Sequence, residues 1–495
     1  MEELHTMAED ALWALLGEVT GRDRIEVLIE LGNRASARGE FDRAMTYWQQ
    51  LETTAAQLGD AEAIGMALRL QGVAAFNSHD HQAAAQLYQQ AASVYSEAGL
   101  SPEAASALWC VADCHRAMGN SQEQLEAAGQ SRNFAELDGI RDLAGDACFM
   151  QARALWFLDR DEEALAAYQT SRDHYRAAER PDQVAVVDDF AVSVHVFLGN
   201  LDEALDLARG CLVLARMSSS DNDDRYARYR LAEVLLRRGD IEEALSQADE
   251  ALQANRAHDD FAGAAKCEQL RAEALFQRDQ LDAALDAFVN ARVLFDATGR
   301  DVEALRCDTR RAVLLHYAGD FGLAARTNER LVQDYLRVDD PQAARWSVVR
   351  WLDNLREAQR FEECVAVARE HMGHWDQAPI SHEASYREFL GLYALALEST
   401  GDLAEAKAIA TDVITRTPAR EAGIGMAFCY EVRGRSLLER DETAARQDFS
   451  HAIALHLAHG KVDRARELSR LFLPADGPSR SRDDGSIPAS GTGHG

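Results

Sequence analysis

The residues of this 495-residue chain whose types and spacing could do chemistry begin with its cysteines and histidines. Cys110 and Cys114 stand four apart, a spacing that places two thiols on one face of a helix. His79 with His81 and His371 with His374 are the close histidine pairs. A structural zinc needs four ligands, and no second pair stands near any of these, so no metal site is expected. His382-Glu383 begins like the helix of a zinc peptidase but lacks the second histidine. There is no Walker-type glycine loop and no Gly-x-Ser-x-Gly elbow, so neither a phosphate cradle nor a nucleophile turn is present. Adjacent carboxylates such as Glu162-Glu163 and Glu242-Glu243 fall at expected helix starts, where the positive helix end accounts for them without acid–base catalysis. No catalytic residue, metal or cofactor is assigned, and the chain reads as a non-enzyme.

Charge and composition narrow what is left. The formal net charge is −31, which disfavours nucleic acid, since phosphate affinity comes from Lys and Arg. The basic residues are almost all arginine, with lysine only at Lys266, Lys407 and Lys461, the usage of a GC-rich bacterial genome. Residues 1–20 lack the basic start and apolar run of a secretory signal, and no stretch reaches 18 apolar residues. A cytoplasmic location without membrane contact is the expectation. The eight cysteines are irregularly spaced and read as small buried thiols rather than a disulfide framework.

The elements that must position any binding residues are helices. Ala, Leu, Glu, Arg and Gln dominate, only eight prolines occur, and no β-branched alternation marks a strand. Turn-forming pairs recur every 40 residues, at Gly39-Glu40, Gly119-Asn120, Gly199-Asn200, Gly239-Asp240 and Gly319-Asp320. Asp159-Arg160, Asp279-Gln280 and Gln359-Arg360 keep the same phase, and Gly401-Asp402 comes two residues late. A small residue repeats after each turn, at Ala44, Ala84, Ala164, Ala204, Ala244, Ala284 and Ala324. Small residues also repeat before it, at Gly32, Gly72, Ala112, Ala152, Ala232, Ala272 and Ala312. Small positions on both helices of a unit imply an antiparallel pair in close contact.

These residues resemble the tetratricopeptide repeat family. Leu31-Gly32, Gly39, Ala44 and Trp48 match its small-and-large signature, as do Ala232, Gly239, Ala244 and Ala251. Tyr88, Tyr168 and Phe288 match its large aromatic position, whereas its closing proline is retained only at Pro181 and Pro341. The spacing is similar to the 40-residue subclass of bacterial regulators and adaptors rather than the usual 34. The resemblance implies an all-α, right-handed superhelical solenoid of about eleven antiparallel helix pairs over residues 21–460. A short N-terminal helix is expected in 1–20, a capping helix in 461–473 and a disordered tail in 474–495.

In such a solenoid the first helix of each unit lines the concave face. The resemblance places there Arg69, Phe76, Asn77, Trp109, Asp113, Arg116, Phe149, Arg153, Trp156 and Phe157. It continues the face with Asp189, Phe197, Tyr226, Tyr229, Glu233 and Arg237. Further on come Lys266, Gln269, Arg306, His316, Tyr317, Trp346, Asp353 and Arg356. Rings supply apolar area with little entropy loss, and arginine forks grip carboxylates, so an acidic or aromatic segment of a protein or peptide is the expected partner. The expected function is a scaffold or adaptor. The alternative is a peptide- or ligand-responsive sensor acting through a separate effector protein.

Overall fold

A computed structural model of the chain describes residues 2–218, 221–375 and 383–472. The tail expected from residue 474 onward lies outside the described residues. Two short helices come first, α1 (Glu2–Thr6) and α2 (Glu9–Glu18). Hairpins of a first and a second helix follow: α3 (Gly21–Ala37) with α4 (Phe41–Leu58), α5 (Ala61–Asn77) with α6 (His81–Glu97), and α7 (Ser101–Met118) with α8 (Ser121–Leu137). Next are α9 (Arg141–Phe157) with α10 (Asp161–Ala177), α11 (Pro181–Leu198) with α12 (Leu201–Ser218), and α13 (Asp221–Arg238) with α14 (Ile241–Ala257). The series continues with α15 (Phe261–Gln277) and α16 (Leu281–Ala297), α17 (Asp301–Tyr317) and α18 (Phe321–Arg337), and α19 (Pro341–Glu357) and α20 (Phe361–His371). It ends with α21 (Ala384–Thr400) and α22 (Leu403–Arg416), α23 (Ile424–Leu437) and α24 (Glu442–Ala458), then the single helix α25 (Val462–Phe472). The chain divides into two compact units, Met1–Ala254 and Asn255–Gly495. Each is an all-α solenoid of tetratricopeptide-like hairpins, in which consecutive helices pack on one another.

From α3 to α20 a helix begins every 20 residues, half the interval visible in the sequence. The reason is the turn. A residue with left-handed backbone closes almost every helix, whether within a hairpin or between hairpins, and Gly59, Gly99, Gly139 and Gly299 serve the second kind. Where Asp159, Glu179, Asp259, Asp279 or Asp339 takes that conformation the motif is harder to see. At the turn after α5, the Asp80 amide donates to the Ala75 carbonyl at 2.9 Å. The Asp80 carboxylate then accepts the Ala83 amide at 3.0 Å, so one residue ends a helix and caps the next.

Within a hairpin the second helix lays rings on small residues of the first. A Cβ added to Gly72 would come within 2.7 Å of the Tyr88 ring, and one on Gly65 within 2.5 Å of Tyr95. In the next such hairpin, Tyr175 covers Gly145 at 2.9 Å in the same sense. Two ring positions, seven residues apart on the second helix, therefore face two small positions on the first. The repeat loses this register after α20, where a 3-10 turn (Met372–Trp375) buries Trp375 against Phe389, ring centroids 4.3 Å apart.

Candidate functional site

The first helices α9, α11 and α13 of the first unit carry a group of charged and aromatic side chains in mutual contact. On α13, Arg230 reaches back to α11. Its Nε lies 2.5 Å from Asp189 Oδ1 and its Nη2 donates to Ser193 Oγ at 2.6 Å. Nη1 donates to Glu233, one turn further along α13, at 2.5 Å. Tyr226, one turn before Arg230, donates its hydroxyl to Asp189 Oδ2 at 3.0 Å. Burial pulls against the charge on Arg230, yet Asp189 and Glu233 outweigh it and hold the guanidinium firmly cationic. Burial, then Asp189, pushes the Tyr226 phenol up to about 12, so it stays a neutral donor.

Beside this cluster, the Arg153 guanidinium on α9 sits 5.8 Å from the Phe149 ring centroid and 5.3 Å from that of Phe190. The two phenyl rings meet edge-to-face at 5.0 Å. Arg153 is thus held by rings rather than by a carboxylate, and burial, followed by Arg116, lowers its pKa.

A cavity of about 550 Å³ opens between α11, α12 and α13. Ala185, Val192, Ala208, Cys211 and Ala215 form much of its apolar wall, and Phe190, Tyr226, Asp189 and Arg230 stand at its polar side. The local cause is a shortage of side-chain volume. Ala208 and Ala215 hold the two ring positions of α12, where α6 carries Tyr88 and Tyr95 and α10 carries Tyr168 and Tyr175. The backbone register is otherwise kept. Cys211 Sγ approaches the Ala185 carbonyl at 3.6 Å, as Ser171 Oγ approaches that of Gly145 at 2.8 Å one hairpin earlier.

The remaining residues expected on the face are distributed as follows. In the first unit, Arg69 is half-buried beside the Tyr95 hydroxyl, and Asn77 is exposed at the end of α5. Trp109 packs into the hydrophobic cluster around Tyr88 and Val111. Arg116 pairs with Asp113 on its own helix at 2.7 Å. Trp156 packs at the edge of the cluster around Tyr168, next to the exposed Phe157. Tyr229 is half-buried and Arg237 is exposed at the end of α13. In the second unit, Lys266 and Arg306 are exposed, and Trp346 packs against the core. His316 Nδ1 lies 2.9 Å from Asn354 Oδ1. Arg356 is tied to Asp353 at 2.6 Å and lies over the Phe428 ring at 5.7 Å. Tyr226, Asp189 and Glu233 are therefore the expected residues that the cluster gathers, and Arg153 and Phe149 stand beside it against the Phe190 ring.

Arg230, Phe190 and the cavity itself were not anticipated from sequence. The register position of Arg230 is held elsewhere by Glu30, Leu70, Cys110, Met150, Phe190, Leu270, Arg310 and Arg350, so its residue type alone did not mark it out.

Cys110 and Cys114 are both on α7, with burial pushing their thiols up to about 11 and about 12. Among the described residues no three His, Cys, Asp or Glu side chains gather as metal ligands would. No helix among them is long and apolar enough to cross a membrane.

The geometry defines a tetratricopeptide-like helical-repeat protein. No protein-family model matches the sequence and no curated protein matches it. Among solved structures the chain is similar to the apo form of RapI, at 17% identity and TM-score 0.45, covering 56% of this chain and 98% of that one. It is similar to a Rap protein complexed with competence and sporulation factor, at 14% identity and TM-score 0.39, covering 64% and 99%. A tetratricopeptide repeat protein from Parabacteroides merdae aligns at 16% identity and TM-score 0.38, covering 58% and 98%.

Proposed function

We propose that this chain is a non-enzymatic binding protein that receives a peptide, or an extended segment of another protein, on the first-helix face of its first unit. The observation that carries this reading is the Asp189–Arg230–Tyr226 cluster, which spans two first helices at the edge of an apolar cavity. Convergent polar groups at the side of a 300–1,000 Å³ apolar recess are the usual form of a ligand site. Nothing nearby supplies an activated nucleophile, since burial raises the neighbouring Cys211 thiol up to about 12. Rings and a guanidinium held by packing are already ordered, which lowers the entropy cost of gripping a chain.

The arrangement favours a partner richer in aromatic and basic residues than in acidic ones. Arg116, Arg230 and Arg356 are each engaged by carboxylates, so they are not idle forks waiting for an acidic peptide. Panning a random dodecapeptide library against the full chain tests the reading. Selected peptides are expected to lose at least tenfold in affinity, by isothermal titration calorimetry, when Arg153→Glu and Asp189→Arg are combined in a protein with unchanged far-ultraviolet circular dichroism. Peptides bound equally well by that variant overturn it.

A further inference from the structure

We propose that the cavity between α11, α12 and α13 is a socket for an aromatic side chain flanked by a lysine or arginine in the bound peptide, an inference that rests on the function proposed above.

The shape argument comes from the repeat itself. In α6 and α10 both ring positions are filled, by Tyr88 with Tyr95 and by Tyr168 with Tyr175, and α16 fills them with Phe288 and Phe295. All six rings are buried. In α12 the same two positions are Ala208 and Ala215, facing Val192 and Ala185 of α11, and all four line the cavity. The void therefore has the place and orientation of rings that neighbouring hairpins supply internally. The helix α8 shows that alanine alone is insufficient. It has Ala128 and Ala135 at these positions, but there α7 and α9 pack directly on each other, and Phe134 packs beside Ala135. Between α11 and α13 direct packing is sparse, and Arg230 reaches across to Asp189 instead. An incoming ring thus finds ring-sized apolar walls, with Phe190 and Tyr226 available for edge or face contacts.

The charge argument sets what stands next to the ring. Asp182, Asp189 and Asp223 line the cavity against the single arginine Arg230, which leaves its wall with net negative charge. The whole chain, at −31, adds to that sign. Tyr226 is half-exposed, so its ring face is open to a cation as well. A carboxylate at this place would meet Asp182, Asp189 and Asp223, and the one arginine of the wall, Arg230, is already engaged by Asp189.

The test uses the full-length chain and the probe acetyl-Gly-Trp-Lys-Gly-amide, followed by saturation-transfer NMR and titration. The indole protons are expected to receive the strongest transfer. Replacing the probe lysine by glutamate, or its tryptophan by alanine, weakens binding at least tenfold. Ala215→Tyr, which restores an internal ring, abolishes probe binding while keeping or raising the melting temperature. If that variant does not fold, Ala208→Leu is read by the same criterion. Equal affinity for the lysine and glutamate probes, or undiminished binding to the filled variant, overturns the inference. Panned peptides that need Arg153 and Asp189 but carry no aromatic–basic pair overturn the socket alone and leave the binding function standing. Failure of every peptide overturns both.

Discussion

Two pairs of successive first helices, one pair in each unit, meet in contrasting ways. In the second unit α21 and α23 come together backbone against backbone. A Cβ on Gly391 would lie 2.5 Å from the Gly425 carbonyl oxygen, and one on Gly425 would lie 2.5 Å from the Glu388 amide nitrogen. Arg435 of α23 then grips Glu398 of α21 with both Nη2 and Nε, at 2.7 and 2.9 Å. In the first unit α11 and α13 also share an arginine–carboxylate link, Arg230 to Asp189, but no glycine pair lets the backbones close. The same polar device therefore does two jobs. With glycines it fastens a close backbone contact, and without them it borders a cavity.

The contrast breaks most visibly at the glycines. Gly425→Val forces a side chain into the α21 backbone, which no rotamer relieves, and should cost about 4 kcal/mol or more. Ala185→Val, in the cavity wall, should change stability by less than about 1 kcal/mol because space is waiting. Urea unfolding of the full chain followed by tryptophan fluorescence compares the two directly.

A somewhat smaller effect belongs to the carboxylate at the centre of the α23 network. Burial alone would raise the Glu431 pKa, but His456 at 2.6 Å, Arg464 and Arg435 overcome it and hold it at about 2. Because that value is below the ordinary 4.5, the stabilisation is fully present above pH 4.5 and is lost as pH falls towards 2. Glu431→Gln should cost about 3 kcal/mol near neutrality, where it removes the buried anion shared by Arg435, Arg464 and His456, although Arg435 keeps Glu398 and Arg464 keeps Glu467. Melting temperatures measured from pH 7 to pH 3 should show the gap between the two proteins narrowing with acid. At the α11–α13 link, by comparison, Arg230→Met should cost only about 1–2 kcal/mol by the same unfolding measurement. Its partners there are partly solvated and the cavity can take up the strain.

How much of this was legible is a matter of which features repeat. The hairpin array was readable because glycine turns and small positions recur with a period of 40, and each states a backbone need that only certain residues meet. The 20-residue half-period was obscured by residues such as Glu179 and Asp259, which adopt the left-handed conformation without announcing it. The candidate site was legible only in pieces. Arg153 and Tyr226 fall on the first-helix face by register, but Arg230 shares its register position with Leu70 and Met150 as well as with Arg310 and Arg350, so nothing in its type singles it out. The cavity is a deficit, and a deficit is seen in sequence only by aligning Ala208 and Ala215 with the rings of other hairpins. Whether alanine leaves a void then depends on how closely the flanking first helices approach, which α8 and α12 answer differently from the same two residues.

That difference predicts a small effect with a change of sign. Ala208→Leu adds apolar volume where the cavity can take it, so the full chain should gain about 1 kcal/mol. Ala128→Leu makes the same change at the same register position of α8, where the alanine is fully buried between helices that already touch. There the added carbons displace packed neighbours, and the cost should be about 1–3 kcal/mol. Urea midpoints for the pair should therefore move in opposite directions. Two losses of similar size would mean that α11 and α13 close over the cavity in solution, and the contrast with α21 and α23 would then reduce to the glycines alone.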